Sequence, residues 1–240
     1  MTRFFKPPRA RHRLGRLRRW RLRFASSYHG PHRSPRGRVS RPHMDEVTPA
    51  NSPNQSDIMA DSDALILVDE ADRRLGHLSK DLCHKGRGVL HRAFSLLIFN
   101  GRGELLVQQR APTKRLWPLF WSNSCCSHPR HMESMEDATG RRLTEELGIG
   151  CDLQFLYKFQ YHAQFDPTGA EHELCSVFIG QCRVPPKINP DEIYDWRWIS
   201  PEILEGQMAS ADSSRFTPWF VLEWGRVWRD HRAAVLAFGA

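Results

Sequence analysis

From residue 64 onward, apolar and polar positions alternate in short blocks, and the blocks predict strands more often than helices. Residues 64–69 form a short apolar run of the kind a buried strand shows. Residues 93–99 and 104–110 are two more such runs, and Asn100-Gly-Arg-Gly103 between them is a hairpin signal. The spacing changes at residues 134–147, which predict a helix. Ser134 is placed to cap it with Asp137 three residues on, and Gly148 stands where a left-handed stop belongs. Gly140 weakens that helix by about 1 kcal/mol relative to alanine. Residues 153–161, 172–182 and 193–199 again predict strands. Residues 217–236 predict a second amphipathic helix, which carries Trp219, Phe220, Trp224 and Trp228. There are no internal repeats. The expected fold class is α+β, a mixed β-sheet sandwich with helices packed on it.

Residues 1–62 have no such pattern, and composition explains why. The 240 residues carry a formal net charge of +8, but residues 1–43 hold 14 of the 35 Lys+Arg and no acid, leaving 21 bases against 27 acids in the rest. The expected globular part is therefore acidic, and the basic balance belongs to an Arg-rich extension. Residues 44–63 are polar and rich in Pro, Ser and Asn, as a solvated linker is. The chain divides, on this reading, into a disordered basic-then-polar extension over 1–62 and one domain over 63–240. Three readings of the basic stretch stand: an organelle transit peptide, an RNA- or membrane-adhesive arm, or sequence ahead of a start at Met44 or Met59. With 40% hydrophobic residues the remainder has ordinary globular composition. The longest mainly apolar run, residues 93–99, falls far short of the roughly 18 a membrane span needs, so no membrane association is expected.

Six cysteines are present, with no Cys-x-x-Cys pair among them, and Cys125 and Cys126 are adjacent, a poor geometry for a disulfide. The expectation is free thiols in a reducing, cytoplasmic compartment.

Chemistry concentrates around residues 121–149. The pattern Ser127-x5-Glu133-x7-Arg141-Arg142-Leu143-x-Glu145-Glu146-x-Gly148-Ile149 resembles the Nudix box, a loop–helix–loop that holds divalent metal against a diphosphate. Carboxylates one turn apart on a helix are hard oxygen ligands suited to Mg²⁺. Two positions depart from the box: Ser127 replaces its opening glycine, and Arg142 replaces a carboxylate that Nudix hydrolases use. These departures count against diphosphate cleavage, since a basic residue at 142 would instead meet phosphate directly; hydrolysis of a nucleoside or prenyl diphosphate is the alternative reading.

A second constellation lies outside the box. His84, His91 and His128 supply three imidazoles, and Glu171 and Glu173 alternate on a predicted strand, so both carboxylates share a face. As a set they would suit Mn²⁺, Mg²⁺ or Zn²⁺, although sequence separation alone does not join them. His84, His91, the segment Asn123-Ser-Cys-Cys-Ser-His-Pro129, the box helix, Tyr161 and Glu171-His-Glu173 are together similar to type I isopentenyl-diphosphate Δ-isomerases, over about residues 65–228. The resemblance implies a Nudix-type fold. It implies that His84, His91, His128, Glu171 and Glu173 bind one metal, and that Glu146 and the backbone carbonyl of Cys126 bind a second Mg²⁺ with the substrate diphosphate. Lys80, Arg110, Lys114 and Arg142 match the basic residues around that diphosphate, and Trp219 matches an aromatic wall. Trp121 is a further aromatic candidate. Cys126 and Glu173, with Tyr161, match the proton carriers. The implied partner is a small prenyl diphosphate, with no nucleic acid, acting on a monomer or weak homodimer.

The implied reaction adds a proton at one alkene carbon and removes one two carbons away on the opposite face. Two carriers must then face each other across a flat hydrocarbon. Reference pKa values of about 8.5 for Cys and 4.3 for Glu make the thiol the acid, whereas the resemblance implies that Glu173 donates and Cys126 accepts. A basic, metal-bearing surrounding is the expected means of lowering the Cys126 pKa. Aromatic faces would relieve the tertiary cation between the two steps, and a dry pocket would keep water from trapping it.

Overall fold

The computed structural model describes residues 63–239; the expectations for residues 1–62 lie outside them. Nine strands of one mixed sheet are described: β1 (Leu65–Val68), β2 (Arg74–Leu78), β3 (His91–Phe99), β4 (Leu105–Arg110), β5 (Trp121–Ser122), β6 (Cys125–Ser127), β7 (Leu153–Asp166), β8 (Gly169–Gln181) and β9 (Ile193–Ile199). The helices are α1 (Lys80–Cys83), α2 (Met135–Arg142), α3 (Pro201–Met208), α4 (Pro218–Asp230) and α5 (Arg232–Leu236). Among the described residues, no helix is long and apolar enough to cross a membrane.

Strand β3 organises the molecule. It runs parallel to β8 over nine residue pairs, from His91↔Glu173 to Phe99↔Gln181, and antiparallel to the short β6. Being covered on both faces, it reads as a nearly continuous apolar run. Its even residues Phe94, Leu96 and Ile98 pack with Ala138, Leu143 and Leu147 of the α2 segment. Its odd residues Ala93, Leu97 and Phe99 pack with Trp219, Phe220, Trp224 and Val227 of α4. The period of two in the strand thus divides the core into two layers.

The expected hairpin at 100–103 exists only at its tip, where Phe99 pairs with Leu105. Beyond it β3 turns to β8 and β6, while β4 pairs with β9 along six positions. Long non-local partners win over the local turn because each buries more apolar surface. The predicted 134–147 helix is present with its cap, the Ser134 hydroxyl accepting from the Asp137 amide at 3.0 Å. Its last turn, Leu143–Leu147, widens into a π-helical turn before Gly148, whose φ is +61° and whose added Cβ would lie 2.9 Å from Lys187 Cβ. The predicted 217–236 helix is two helices, broken at His231. Strand β2 and helices α1 and α3, which carry little periodic signal, were not expected.

Candidate active site

The site lies on the α4 side of the sheet, where the odd positions of β3 continue into polar chemistry. Register builds it. His91 opens β3 directly beside Glu173 of β8, and Tyr161 of β7 is paired with Glu173 from the other side. His84 follows α1, and its carbonyl accepts from the Ala170 amide at 3.1 Å, which ties the loop to β8. His128 follows β6 directly. Each of His84, His91, His128, Glu171 and Glu173 offers an atom, and these five atoms all lie within 4.8 Å of one another.

Their hydrogen bonds suit a metal. The Nδ1 atoms of His84 and His91 lie 2.7 and 2.6 Å from the carbonyls of Lys80 and Val89, which assigns a proton to Nδ1 and turns Nε2 toward the cluster. His91 Nε2 and Glu171 Oε2 are buried without a hydrogen-bond partner among the described residues. Glu171 Oε2 lies 2.9 Å from His84 Nε2, but not in hydrogen-bond geometry. Burial, reinforced by His84, holds the His91 pKa down at about 3, so the ring is neutral, the ligating form. Buried acceptors converging without donors are what a divalent cation satisfies, and the three-imidazole, two-carboxylate set fits one.

The two carboxyls of this cluster are pushed apart. Burial opposes ionisation of Glu171, but the adjacent His84 imidazole overrides it and holds Glu171 down at about 2. Glu173 goes the other way: burial, then the charge of Glu171, raises its pKa above the ordinary carboxyl range. Tyr161 donates its hydroxyl to Glu173 Oε2 at 2.6 Å, and His128 Nε2 lies 2.8 Å from Oε1.

A cavity of about 220 Å³ opens onto this cluster. Of the residues singled out from sequence it is lined by Lys80, His84, Arg110, Lys114, Cys126, His128, Arg142, Tyr161, Glu171, Glu173 and Trp219. His91 sits behind it as a member of the cluster. Glu146 is also behind the wall, 3% exposed, paired to Arg142 and 3.3 Å from the Gln108 amide nitrogen. Trp121 is not part of the cavity; it packs in the core with Arg197 stacked 4.4 Å over its ring. Cys125 is fully buried on the opposite, α2 face, as alternation along β6 requires.

One expectation is reversed. The Cys126 thiol is not acidified: burial raises its pKa to about 12, and although Arg110 pulls down, Glu146, Glu173 and Glu223 push up. Desolvation outweighs the nearby cation.

The cavity is also lined by cations, Lys80, Arg110, Lys114 and Arg142 among them. Burial and the neighbouring charges of Lys114 and Arg142 lower the Lys80 pKa. Arg110 is held by the carbonyls of Trp117 and Leu116 at 3.1 and 3.0 Å and lies 5.3 Å over the Trp219 ring. Glu192, which sequence did not single out, bridges Lys114 and Arg142. Its position in an ordinary acidic turn before β9 carried no signal. A cluster of cations that must be held against mutual repulsion is an anion site.

Comparison with known proteins agrees with this geometry. The NUDIX domain family model matches residues 89–220, which assigns the class. A protein of Deinococcus radiodurans, 24% identical and superposing with a TM-score of 0.50 over 62% of this chain and 90% of its own, shares the fold. Within that class the chain belongs to the isopentenyl-diphosphate Δ-isomerase family. The isopentenyl-diphosphate Delta-isomerase 1 of Photorhabdus laumondii is 44% identical over 70% of this chain and 96% of its own. The isomerase of Nocardia farcinica is 42% identical over 64% and 87%, and that of the fungus Gibberella zeae 36% over 72% and 77%.

Proposed function

We propose that this enzyme interconverts isopentenyl diphosphate and dimethylallyl diphosphate by a 1,3-allylic proton shift. The observation that carries the reading is that Cys126 and Glu173, from different strands, line one small cavity together with several cations. At about 220 Å³ it is smaller than the roughly 300–1,000 Å³ typical of larger ligands, which suits a five-carbon chain.

The diphosphate is held by Lys80, Lys114, Arg110 and Arg142. Arg142 exchanges its pairing with Glu146 for a phosphate oxygen, which frees Glu146 as an oxygen ligand for the Mg²⁺ that accompanies the substrate. Glu173, protonated and hydrogen-bonded by Tyr161, donates to the terminal alkene carbon. Cys126 takes the proton two carbons away, on the opposite face. Each carrier contributes on the order of 10²–10⁴ in rate. Glu173 supplies the first proton, and Cys126, acting as the thiolate, takes one from the carbon beside the cation, so the turnover ends with Glu173 as carboxylate and Cys126 as thiol. Trp219 faces the cation, an interaction of roughly 2 kcal/mol when desolvated. A divalent cation bound by His84, His91, His128, Glu171 and Glu173, whether Mg²⁺, Mn²⁺ or Zn²⁺, would orient the Glu173 carboxyl and stabilise the charge it acquires. Every group in this scheme comes from one chain, and free cysteines suit a reducing cytoplasm.

The hydrolase alternative lacks support at the position it needs: Arg142, paired with Glu145 and Glu146, stands where the water-activating carboxylate would be. Turnover in deuterated water separates the two. Deuterium in the product methyl group is expected; release of phosphate without isomerisation would overturn the proposal.

A further inference from the structure

One buried acid has no part in the scheme above. Glu223 of α4 is fully buried, and three strands direct side chains onto it. The Ser95 hydroxyl of β3 donates to Glu223 Oε1 at 2.5 Å, and the Cys175 thiol of β8 lies 3.8 Å from the same oxygen. The Tyr157 hydroxyl of β7 donates to the Glu223 backbone carbonyl at 3.0 Å. Glu223 Oε2 has no partner among the described residues. Burial raises the acid's pKa to about 8, so near neutrality it is a neutral group, and the sheet meets a hydrogen-bonding handle rather than a charge.

A buried polar cluster is costly to keep unless it fixes something. Two neighbours show what is fixed here. Trp219 is four residues before Glu223 and therefore on the same face of α4. Ser95 is the cross-strand partner of Cys126, and directly opposed residues of an antiparallel pair share a face. The Glu223–Ser95 bond therefore joins the helix that carries the aromatic wall to the strand pair that carries the thiol.

We propose that Glu223 is a positioning residue: pinned by Ser95, Cys175 and Tyr157, it fixes α4 so that Trp219 closes the cavity opposite Cys126 and keeps water from the cation. The inference rests on the isomerase reading of that cavity. It predicts a specific failure. If Trp219 is released, water adds to the tertiary carbon of the cation and loses a proton to solvent, giving a tertiary alcohol diphosphate.

The test uses the full chain, isopentenyl diphosphate and Mg²⁺. Glu223→Leu removes the handle but keeps apolar volume. It is expected to lower kcat at least tenfold, leave KM within threefold, and raise the fraction of substrate recovered as alcohol. Glu223→Gln keeps the acceptor for Ser95 and is expected to hold kcat within threefold of the parent. If Glu223→Leu proves insoluble, Ser95→Ala decides, with a threefold or larger loss of kcat and the same by-product expected. Unchanged kcat and product ratio in Glu223→Leu, or in Ser95→Ala where that variant decides, would overturn the latch. So would equal losses in the Leu and Gln variants without alcohol. Cys126→Ala serves as the reference: if it turns over normally, the isomerase reading of the cavity falls; if it is inactive while Glu223→Leu is normal, the latch alone falls.

Discussion

The two faces of strand β3 are built from the same strand by opposite rules. The face toward α2 is apolar apart from Arg92 near its start, with Phe94, Leu96 and Ile98 packed among Leu143, Leu147 and Cys125. The face toward α4 mixes Leu97 and Phe99 with His91 and Ser95, and beside them lie Glu173, Cys126 and Glu223. His91, Ser95, Glu173 and Glu223 are buried there, and such groups are tolerated only when paired or held for a ligand. The contrast indicates that the α2 face stabilises the sheet while the α4 face uses that stability to hold a cluster of histidines and buried carboxyls in place. Nearest-neighbour cysteines show the division in miniature: Cys125 is core, Cys126 lines the cavity.

The sharpest way to break this comparison is to alter the working face alone. Cys126→Ala and Glu173→Gln should each cut turnover by roughly 10²–10⁴, the contribution of one positioned proton carrier. Thermal unfolding should change little, because neither variant opens a large cavity. Steady-state rates and melting curves on the same samples check both halves. Near-normal turnover in either variant would remove the proposed mechanism.

The converse lesion is on the supporting face. Leu147 is fully buried in the α2 layer, and Leu147→Ala should cost about 2–5 kcal/mol in a denaturant titration. The fraction that remains folded should keep its KM and kcat. A selective loss of kcat would show that the two faces are coupled more tightly than their contacts indicate.

A third test uses pH. Glu223 has an ordinary carboxyl pKa of 4.5 when unfolded and about 8 when folded. Below 4.5 both states hold the proton, and stability is complete. As pH rises from 4.5 to 8 the unfolded chain releases the proton and the folded chain keeps it, so stability falls; above 8 no further loss arises from this group. The decline between pH 5 and 8 should be about 3 kcal/mol, using about 1.4 kcal/mol per pH unit and a partly titrated upper end. Glu223→Gln should flatten it. An unchanged slope in that variant would show that Glu223 is not the titrating group.

Much of the working face was legible in advance because its residues carry distinctive spacing. Glu171-x-Glu173 announces a shared face through strand alternation, and Ser134 with Gly148 marks both ends of the box helix. What sequence could not give was whatever depends on distant partners. The parallel β3–β8 pairing, which brings His91 beside Glu173 across 82 positions, leaves no local trace. Glu192 and Gln108 act only through residues that folding brings to them. For Cys126, a count of nearby bases leaves out burial, the largest effect on its thiol in the metal-free site. Glu223 alone was findable: an acid four residues after Trp219, on the apolar face of an amphipathic helix, violates the pattern that defines the helix.

The smallest effect belongs to the boundary between extension and domain. The described elements start with β1 at Leu65, and every residue assigned to the cavity lies from Lys80 to Trp219. The cations singled out at the cavity, Lys80, Arg110, Lys114 and Arg142, all belong to the described residues. A chain beginning at Met59 should therefore keep kcat and KM within about twofold, a difference below the roughly 0.5 kcal/mol expected of neutral surface changes. Asp63, whose carboxylate lies 2.7 Å from the Arg130 guanidinium, remains in that chain, so the approach to β1 is preserved. Loss of soluble, active protein on this truncation would place a structural or catalytic role before Met59 and move the domain boundary toward the N-terminus.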